Sequence, residues 1–301
     1  MDEPLRLLRD RLHDAGLRDV MTVTPAPGGQ AATAGIAHRT DGSTLFVKTL
    51  DGLRSAPDDL DADGAFVAEA EGLAALADAG MPTPGVVVVR PDLLALAPLE
   101  PRPAEPAFWT DLAHRLAHLH TTTRHDRFGW HGDNWLGRRR QVNTWTDDGF
   151  EFFAQHRLLR WLAEPRVSAA LDTTDRAALE HLCERLPELL PEQPACLVHG
   201  DLWAGNVLAT AGGTPALIDP AVSYTWAEID LAHLWTTAPP PESAPFFDLY
   251  ADLTGLDDGW RERMPIIQLR QHLAVVAQFE PDWGAAEIAG ATLAPFRRRP
   301  R

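Results

Sequence analysis

The chain has 301 residues, of which 45% are apolar and 23% charged, ordinary proportions for a globular protein long enough to form two lobes. A formal net charge of −16 argues against nucleic acid and anionic membrane as partners, and the Arg-rich end, 297–301, is too short to reverse it. Cys183 and Cys196 suggest no disulfide framework, MDEPLRLLRDRL is unlike a signal peptide, and no apolar run, Val86 to Val89 included, approaches the length of a bilayer span, so a soluble, cytoplasmic protein is expected.

Residues 3–15 place Leu5, Leu8 and Leu12 on one face and predict a short helix. Val20 to Val23, Ala34 to Arg39 and Thr44 to Leu50 predict strands, the last two joined by a turn at Asp41-Gly42. Pro25-Ala26-Pro27-Gly28-Gly29 links the first two. Gly28 and Gly29 either let backbone N–H groups close over phosphates or form a plain turn, since a full G-x-G-x-x-G is missing. Of 27 basic residues only Lys48 is lysine. A chain that uses arginine for every other cation has kept one compact ammonium, which points to a site that distinguishes the two. Lys48 lies in the apolar strand Leu45-Phe46-Val47-Lys48 and therefore needs an anionic partner. Beyond the acidic linker Asp51 to Asp63, residues 64–79 predict a helix with Phe66, Leu73 and Leu76 as its apolar face. Glu69 flanks that face and is the candidate partner, whereas Glu71 falls on the outer side.

Val86 to Arg90 and Leu93 to Ala97 complete an expected N-terminal lobe, residues 1–97, with a sheet of about five strands. Pro98 to Pro106, with four prolines in nine residues, is the expected hinge to a larger helical lobe, 107–301. Where the hinge leaves the sheet, the Ala97 carbonyl and the Leu99 N–H either bind an adenine edge or belong to a plain connector. Residues 107–121 carry Phe108, Leu112, Leu116 and Leu119 at helical spacing. His114, His118 and His120 share this helix without an HExxH pattern or a carboxylate, and are expected at the surface or in a cap. The segment 128–145 contains His131-Gly132-Asp133-Asn134, but position 138 is Arg where a metal-ligating Asn would stand. This loop is expected to pack near the site, with Asn134 against the acceptor. Helices are expected over about 147–163 and 172–189.

No Lys or Arg occurs between Arg185 and Arg261, an interval that holds Asp201, Asp219, Glu228 and Asp230 and suits recruitment of a divalent metal. Within it, His199 to Pro220 reads HGDLWAGNVLATAGGTPALIDP. Asp201 and Asn206 precede two short apolar runs, Val207-Leu208 and Ala216-Leu217-Ile218, joined by a polar turn, and the second run ends on Asp219. One carboxylate to orient or deprotonate a hydroxyl, with an Asn–Asp pair of oxygen ligands for Mg²⁺, is what phosphoryl transfer from ATP requires. Asp201-x4-Asn206 has the Asp-to-Asn spacing of the kinase catalytic loop, with Gly200 where protein kinases carry Arg. Asp230, in the amphipathic stretch Trp226 to Trp235, is expected to hold the loop backbone together with His199. Helices over 243–255, 259–280 and 283–295 close the larger lobe.

LVHGDLWAGNVL, IDPAVSY, WAEIDLAHLW, FGWHGDNWLGRRRQVNTW and FEFFAQHRLL together resemble the fructosamine (ketosamine) kinase family. That family is similar in fold to the aminoglycoside phosphotransferases and, more distantly, to protein kinases. The resemblance covers nearly the whole chain, and Trp203 in HGDLW with the FFAQHRL stretch narrows it to this family. It implies a two-lobed, α+β, protein-kinase-like fold: a small antiparallel N-lobe with one key helix and a mainly helical C-lobe. It also implies Asp201 as catalytic base, Asn206 and Asp219 as Mg²⁺ ligands, Lys48 and Glu69 as the pair that positions ATP phosphates, and Trp203 facing the sugar. The implied acceptor is a ketosamine phosphorylated on its sugar 3-hydroxyl, giving a product that releases the free amine. Two features depart from family or fold: PAPGGQAATAG is less glycine-rich than the family's loop, and Pro-Ala after Asp219 replaces the Phe-Gly of protein kinases. An aminoglycoside or other amino-sugar acceptor is the nearer alternative, and a catalytically silent nucleotide-binding module the more distant one.

Overall fold

The computed structural model describes residues 3–26, 32–49 and 64–297. Its N-terminal part is an antiparallel sheet of five strands in the order β1-β2-β3-β5-β4, namely β1 (Val20–Pro25), β2 (Thr33–Arg39), β3 (Thr44–Thr49), β5 (Leu93–Leu96) and β4 (Val86–Arg90). Alternation along β3 assigns its two faces. Leu45 and Val47 point to helix α1 (Glu3–Asp14), whose Leu5, Leu8 and Leu12 close a small core with Val20, Val23, Leu93 and Ala95. Each such leucine contributes about 1.5–3 kcal/mol through burial. Phe46 and Lys48 point the other way, toward helix α2 (Ala65–Asp78), which covers Leu94 and Leu96 with Phe66 and Leu73. The register pairs Lys48 with Ala34 on β2 and Leu94 on β5. A slip of one residue would turn the lysine into the α1 core, so the apolar pattern itself fixes where the ammonium emerges.

The connector after β5 is fastened to the helical part rather than left loose. Glu100 and Ala209 exchange both backbone hydrogen bonds, at 2.7 and 2.9 Å. Arg102 donates to Val207 O at 3.1 Å and to Ala204 O, and its guanidinium lies 5.1 Å from the Trp109 ring centroid. Helix α3 (Pro106–Thr122) then begins with Pro106 in its first turn, where a missing N–H costs nothing. Phe108, Leu112, Leu116 and Leu119 are buried on it. His114 and His118 are exposed, but His120 is 4% exposed and bonded to Tyr250 and Asp230, which corrects the expectation of a surface histidine there.

The helical part carries three small antiparallel units: β6 (Arg124–His125), β9 (Ala195–Val198) and β12 (Ser223–Thr225) in the order β12-β9-β6; the hairpin β7 (Asn134–Leu136) with β8 (Arg139–Gln141); and the hairpin β10 (Val207–Ala209) with β11 (Pro215–Leu217). Helical backbone runs from Gly149 to Ala163 but changes pitch, with a π-turn over Phe153–Leu158. That turn brings the buried Arg157 to Val142 O at 2.8 Å, Asn143 Oδ1 at 2.6 Å and Ser223 Oγ at 3.2 Å. The FFAQHRL stretch thus clamps the β8 end to β12. Helices Glu228–Thr236, Ala244–Thr254, Trp260–Gln278 and Ala285–Leu293 complete the packing. Among the described residues no helix is long and apolar enough to cross a membrane. The antiparallel sheet with a helix on each face, α1 and α2, joined to a mainly helical part, is the two-lobed protein-kinase-like fold.

Candidate active site

The loop between β9 and β10 is built on one buried carboxylate. Asp230, fully buried on helix Glu228–Thr236, accepts the His199 N–H at 2.7 Å on Oδ2 and the Gly200 N–H at 2.8 Å on Oδ1. Burial acts to raise its pKa, but the hydrogen bond from His120, the adjacent imidazoles of His120 and His199 and the Gly200 N–H outweigh burial and hold the carboxyl below its usual range. His199 donates Nε2–H to Ile218 O at 2.8 Å, and its Nδ1 accepts the Asp201 N–H at 3.2 Å. Both roles require the neutral ring, and burial pushes its pKa down accordingly. Between them Gly200 adopts φ 81°, and a Cβ there would lie 2.1 Å from Ala221 O. This explains why glycine stands where protein kinases carry Arg: the chain behind is too close for any side chain.

These constraints aim Asp201, Asn206 and Asp219 into one open cleft of about 1050 Å³, whose walls also include Lys48, Glu69 and Trp203. Lys48 Nζ lies 2.8 Å from Glu69 Oε1 and 2.5 Å from Asp219 Oδ1. Burial alone would discharge the ammonium; the charges of Asp219 and Glu69 overcome it and raise the pKa instead. Glu71, two residues on, is exposed beside His131.

Asp201 accepts from Gln271 Nε2 at 3.1 Å. Burial raises its pKa to about 7, with Asp219 and Asp230 adding to the shift and Arg270 and Gln271 opposing it. Arg270 is itself buried and donates to Gly200 O at 2.6 Å. His233 Nδ1 stands 3.3 Å from Asp201 Oδ1 but makes no hydrogen bond to it. Burial and the nearby Arg270 lower its pKa to about 3, so it is a neutral neighbour rather than a counter-ion.

Asn206 spends Nδ2 on Asp201 O at 2.8 Å, which leaves its amide oxygen as the side-chain atom able to ligate. Asp219 sits at φ 56°, a left-handed conformation that costs a non-glycine residue about 1 kcal/mol. The backbone is thus held in strain at the position where the carboxylate meets the cleft. Two hard oxygen donors fit Mg²⁺, which takes few protein ligands and completes its shell with phosphate and water. Among the described residues no group of three or more His, Cys, Asp or Glu has the geometry of a metal site.

Apolar Ala32, Ala34, Phe46, Leu208 and Ile218 are among the residues that line the cleft, Ala34 paired with Lys48 across the β2–β3 ladder. Ala97 and Leu99 lie on the connector and are not among the lining residues. Gly28 and Gly29 fall outside the described residues. Trp203 is 44% exposed and its indole covers Gly205, where a Cβ would meet the ring at 2.3 Å. Asn134, expected against the acceptor, has each end of its amide bonded within the protein: Nδ2 donates to Val222 O at 2.6 Å and Oδ1 accepts from Gln141 at 3.0 Å. Its amide is consumed in holding the β7–β8 hairpin to the strand before β12, although it borders the cleft.

Gln271, Arg270 and His233 surround the Asp201 loop in a way that motif spacing does not reveal. The available signal was the burial of polar residues: His233 follows Asp230 by three positions, on the same helical face.

The fructosamine kinase sequence profile matches residues 13–289. The candidate ketoamine kinase YniA of Escherichia coli K12 is 33% identical over 273 residues, 88% of each chain. The chloroplastic protein-ribulosamine 3-kinase of Oryza sativa subsp. japonica is 28% identical over 279 residues, 88% of this chain and 77% of that one. Alignments to candidate ketoamine kinases of Enterococcus faecium and Synechocystis span 63% and 53% of those proteins' lengths. Among solved structures, a candidate fructosamine-3-kinase from Thermobifida fusca aligns with TM-score 0.78 at 30% identity, covering 93% of this chain and 98% of that one. Aminoglycoside phosphotransferase APH(4)-Ia aligns at 0.62 and 17% identity over 97% of this chain and 98% of that one, a likeness of fold alone. A profile match over nearly all the residues that build the cleft, on a protein-kinase-like fold, places this chain in the fructosamine kinase family.

Proposed function

We propose that the chain is an ATP- and Mg²⁺-dependent kinase that phosphorylates a sugar hydroxyl of ketosamines, with a glycated amine as the acceptor. The observation that carries this is the convergence of Lys48, Glu69, Asp201, Asn206 and Asp219 on one cleft from both lobes.

Asp201 accepts the hydroxyl proton through the oxygen that Gln271 leaves free, while the hydroxyl oxygen attacks the γ-phosphorus in line with the departing ADP oxygen. A base with a pKa near 7 is ionised often enough to act and basic enough to take the proton. Lys48, fixed by Glu69, places an ammonium where phosphate charge develops. Asn206 and Asp219 would hold Mg²⁺, which would neutralise phosphate charge when bound. Trp203 offers an exposed aromatic face to the sugar. Phosphorylation of the 3-hydroxyl gives a product that sheds the amine, a deglycation repair.

A coupled ADP assay over a panel of fructosyl-amines, ribulosyl-amines and aminoglycosides tests the proposal. ADP release with the ketosamines, lost in Asp201→Asn, is the expected result. Activity confined to the antibiotics would overturn the ketosamine assignment, and wild-type rates in Asp201→Asn would remove Asp201 as the base.

A further inference from the structure

The turn after helix Trp260–Gln278 carries the most exposed large apolar side chain among the described residues. Trp283 is 59% exposed, and with Phe279, Gln278, Val275 and Gln271 it lines the cleft. Its backbone is held at φ 50°, a region that bulky residues avoid, and Gly284 follows at φ 85°. Asp282 fixes the turn. Its carboxylate accepts the Gly284 N–H at 3.2 Å and the Ala286 N–H at 3.1 Å, and its carbonyl accepts the Ala285 N–H at 2.9 Å. A glycine at position 283 would take that φ without strain. A tryptophan there strains the turn and keeps most of its surface in water, so folding stability does not account for the ring. Its neighbour Phe279 is half-buried, 5.3 Å away between ring centroids, with the Arg138 guanidinium 5.8 Å from the Phe279 centroid. Trp283 is the more open ring of the pair.

Helix geometry sets how far this pair lies from the chemistry. Gln271 donates to Asp201 at 3.1 Å, and Gln278, further along the same helix, accepts the Arg138 N–H in the β7–β8 turn. The rise from Gln271 to Gln278 is about 10 Å, and Phe279 and Trp283 lie beyond. In a ketosamine the amine nitrogen is four bonds from the 3-hydroxyl oxygen, about 5 Å when extended, and the far end of a six-carbon sugar is little further. With that oxygen at Asp201, neither end of the sugar spans the distance. A chain carried by the amine does. We propose that Phe279 and Trp283 form a subsite for the apolar substituent on the acceptor amine, so that the enzyme selects ketosamines by what the sugar is attached to. The inference rests on the proposed ketosamine kinase function and narrows it to amines that carry an alkyl chain of several carbons. Aromatic faces suit such a chain, and Trp283 offers the larger open one.

The test measures wild type, Trp283→Ala and Trp283→Gly in the coupled ADP assay with fructosyl-amines that bear N-methyl, N-propyl and N-hexyl groups. Wild type should favour hexyl over methyl by at least about tenfold in kcat/KM, the contribution of one aromatic contact. The gain should appear in KM and not in kcat, because the ring stands away from the reacting atoms. Both variants should bring the hexyl-to-methyl ratio below about threefold, because the open ring is gone. Trp283→Gly takes the left-handed φ without strain, so it separates loss of the ring from loss of the turn. Equal kcat/KM for methyl and hexyl in wild type overturns the subsite and leaves the ketosamine assignment standing. A wild-type ratio that survives in Trp283→Gly overturns the subsite too, and so does a preference carried by kcat alone. No turnover of any of these fructosyl-amines by wild type overturns the ketosamine assignment, and this inference with it.

Discussion

Lys48 and Asp219 stand 171 residues apart in the chain and 2.5 Å apart in space, ammonium to carboxylate. The contact joins the N-terminal sheet to the loop after β11, and Glu69 holds the same nitrogen at 2.8 Å. Two of the three N–H groups are thereby used and one remains for a phosphate oxygen. Lys48→Met should lower kcat/KM by about 10²–10³ and destabilise the fold by about 3 kcal/mol, since Glu69 loses its counter-charge in a buried setting. Lys48→Arg should recover part of the stability but little activity, because a planar fork does not replace a compact ammonium. Urea denaturation and steady-state kinetics separate the two effects. Full activity in Lys48→Arg would show that any cation suffices.

Asp201 gives the pH dependence. Its folded pKa, raised to about 7 mainly by burial, lies above the usual carboxylate range. As pH rises from the unfolded toward the folded value, the unfolded chain releases its proton first, so ionising Asp201 costs the folded state. The same ionisation is what the base requires, so kcat/KM should fall as pH drops through about 7. Asp201→Asn removes the charge and should therefore lower activity by roughly 10²–10⁴ while raising Tm more at pH 8 than at pH 5, because the cost of ionisation grows between the two. A Tm at pH 8 no higher than wild type would contradict the buried-base assignment.

How far the sequence reached depended on whether the cause was local. The sheet was legible because alternation, Gly and Pro act over a few residues, and Lys48 was legible because it is the single lysine. His120 shows a local signal left unused: it follows Leu112 by eight and Leu116 by four, on the same apolar stripe, and is buried there. Gln271 and Arg270 were not legible, because the rotation of their helix about its axis is set by packing against distant elements. The bond from the Asn134 amide to Val222 O, 88 residues away, was not legible for the same reason.

The loop behind the base should depend on Asp230 more than on any cleft residue. Asp230→Asn presents one acceptor oxygen to two backbone N–H groups, so either His199 N or Gly200 N is left facing an amide NH₂. A loss of about 1–3 kcal/mol is expected, with kcat reduced and nucleotide affinity nearly kept. Gly200→Ala should be worse, because its Cβ would fall 2.1 Å from Ala221 O in a region of φ that alanine avoids. Chemical denaturation of both variants, with nucleotide binding measured alongside, checks the ranking; Gly200→Ala as stable as wild type would refute the close-approach argument.

Trp203 and Asn134 border the same cleft and should respond in opposite ways. Trp203 is 44% exposed, over Gly205, so Trp203→Ala removes an aromatic face from the acceptor and little from the core. Its Tm should stay close to wild type while acceptor KM rises about tenfold, equivalent to about 1.4 kcal/mol of lost stacking. Asn134 is buried, and both ends of its amide are engaged in the protein. Asn134→Ala removes the donor to the Val222 carbonyl and leaves Gln141 Nε2 with Ala221 O alone, and should cost about 1–3 kcal/mol in stability. Acceptor KM should then move less than in Trp203→Ala, since each polar atom of the Asn134 side chain already bonds within the protein. Thermal denaturation together with acceptor saturation curves decides the matter. A large rise in acceptor KM in Asn134→Ala at unchanged Tm would return this residue to the acceptor site.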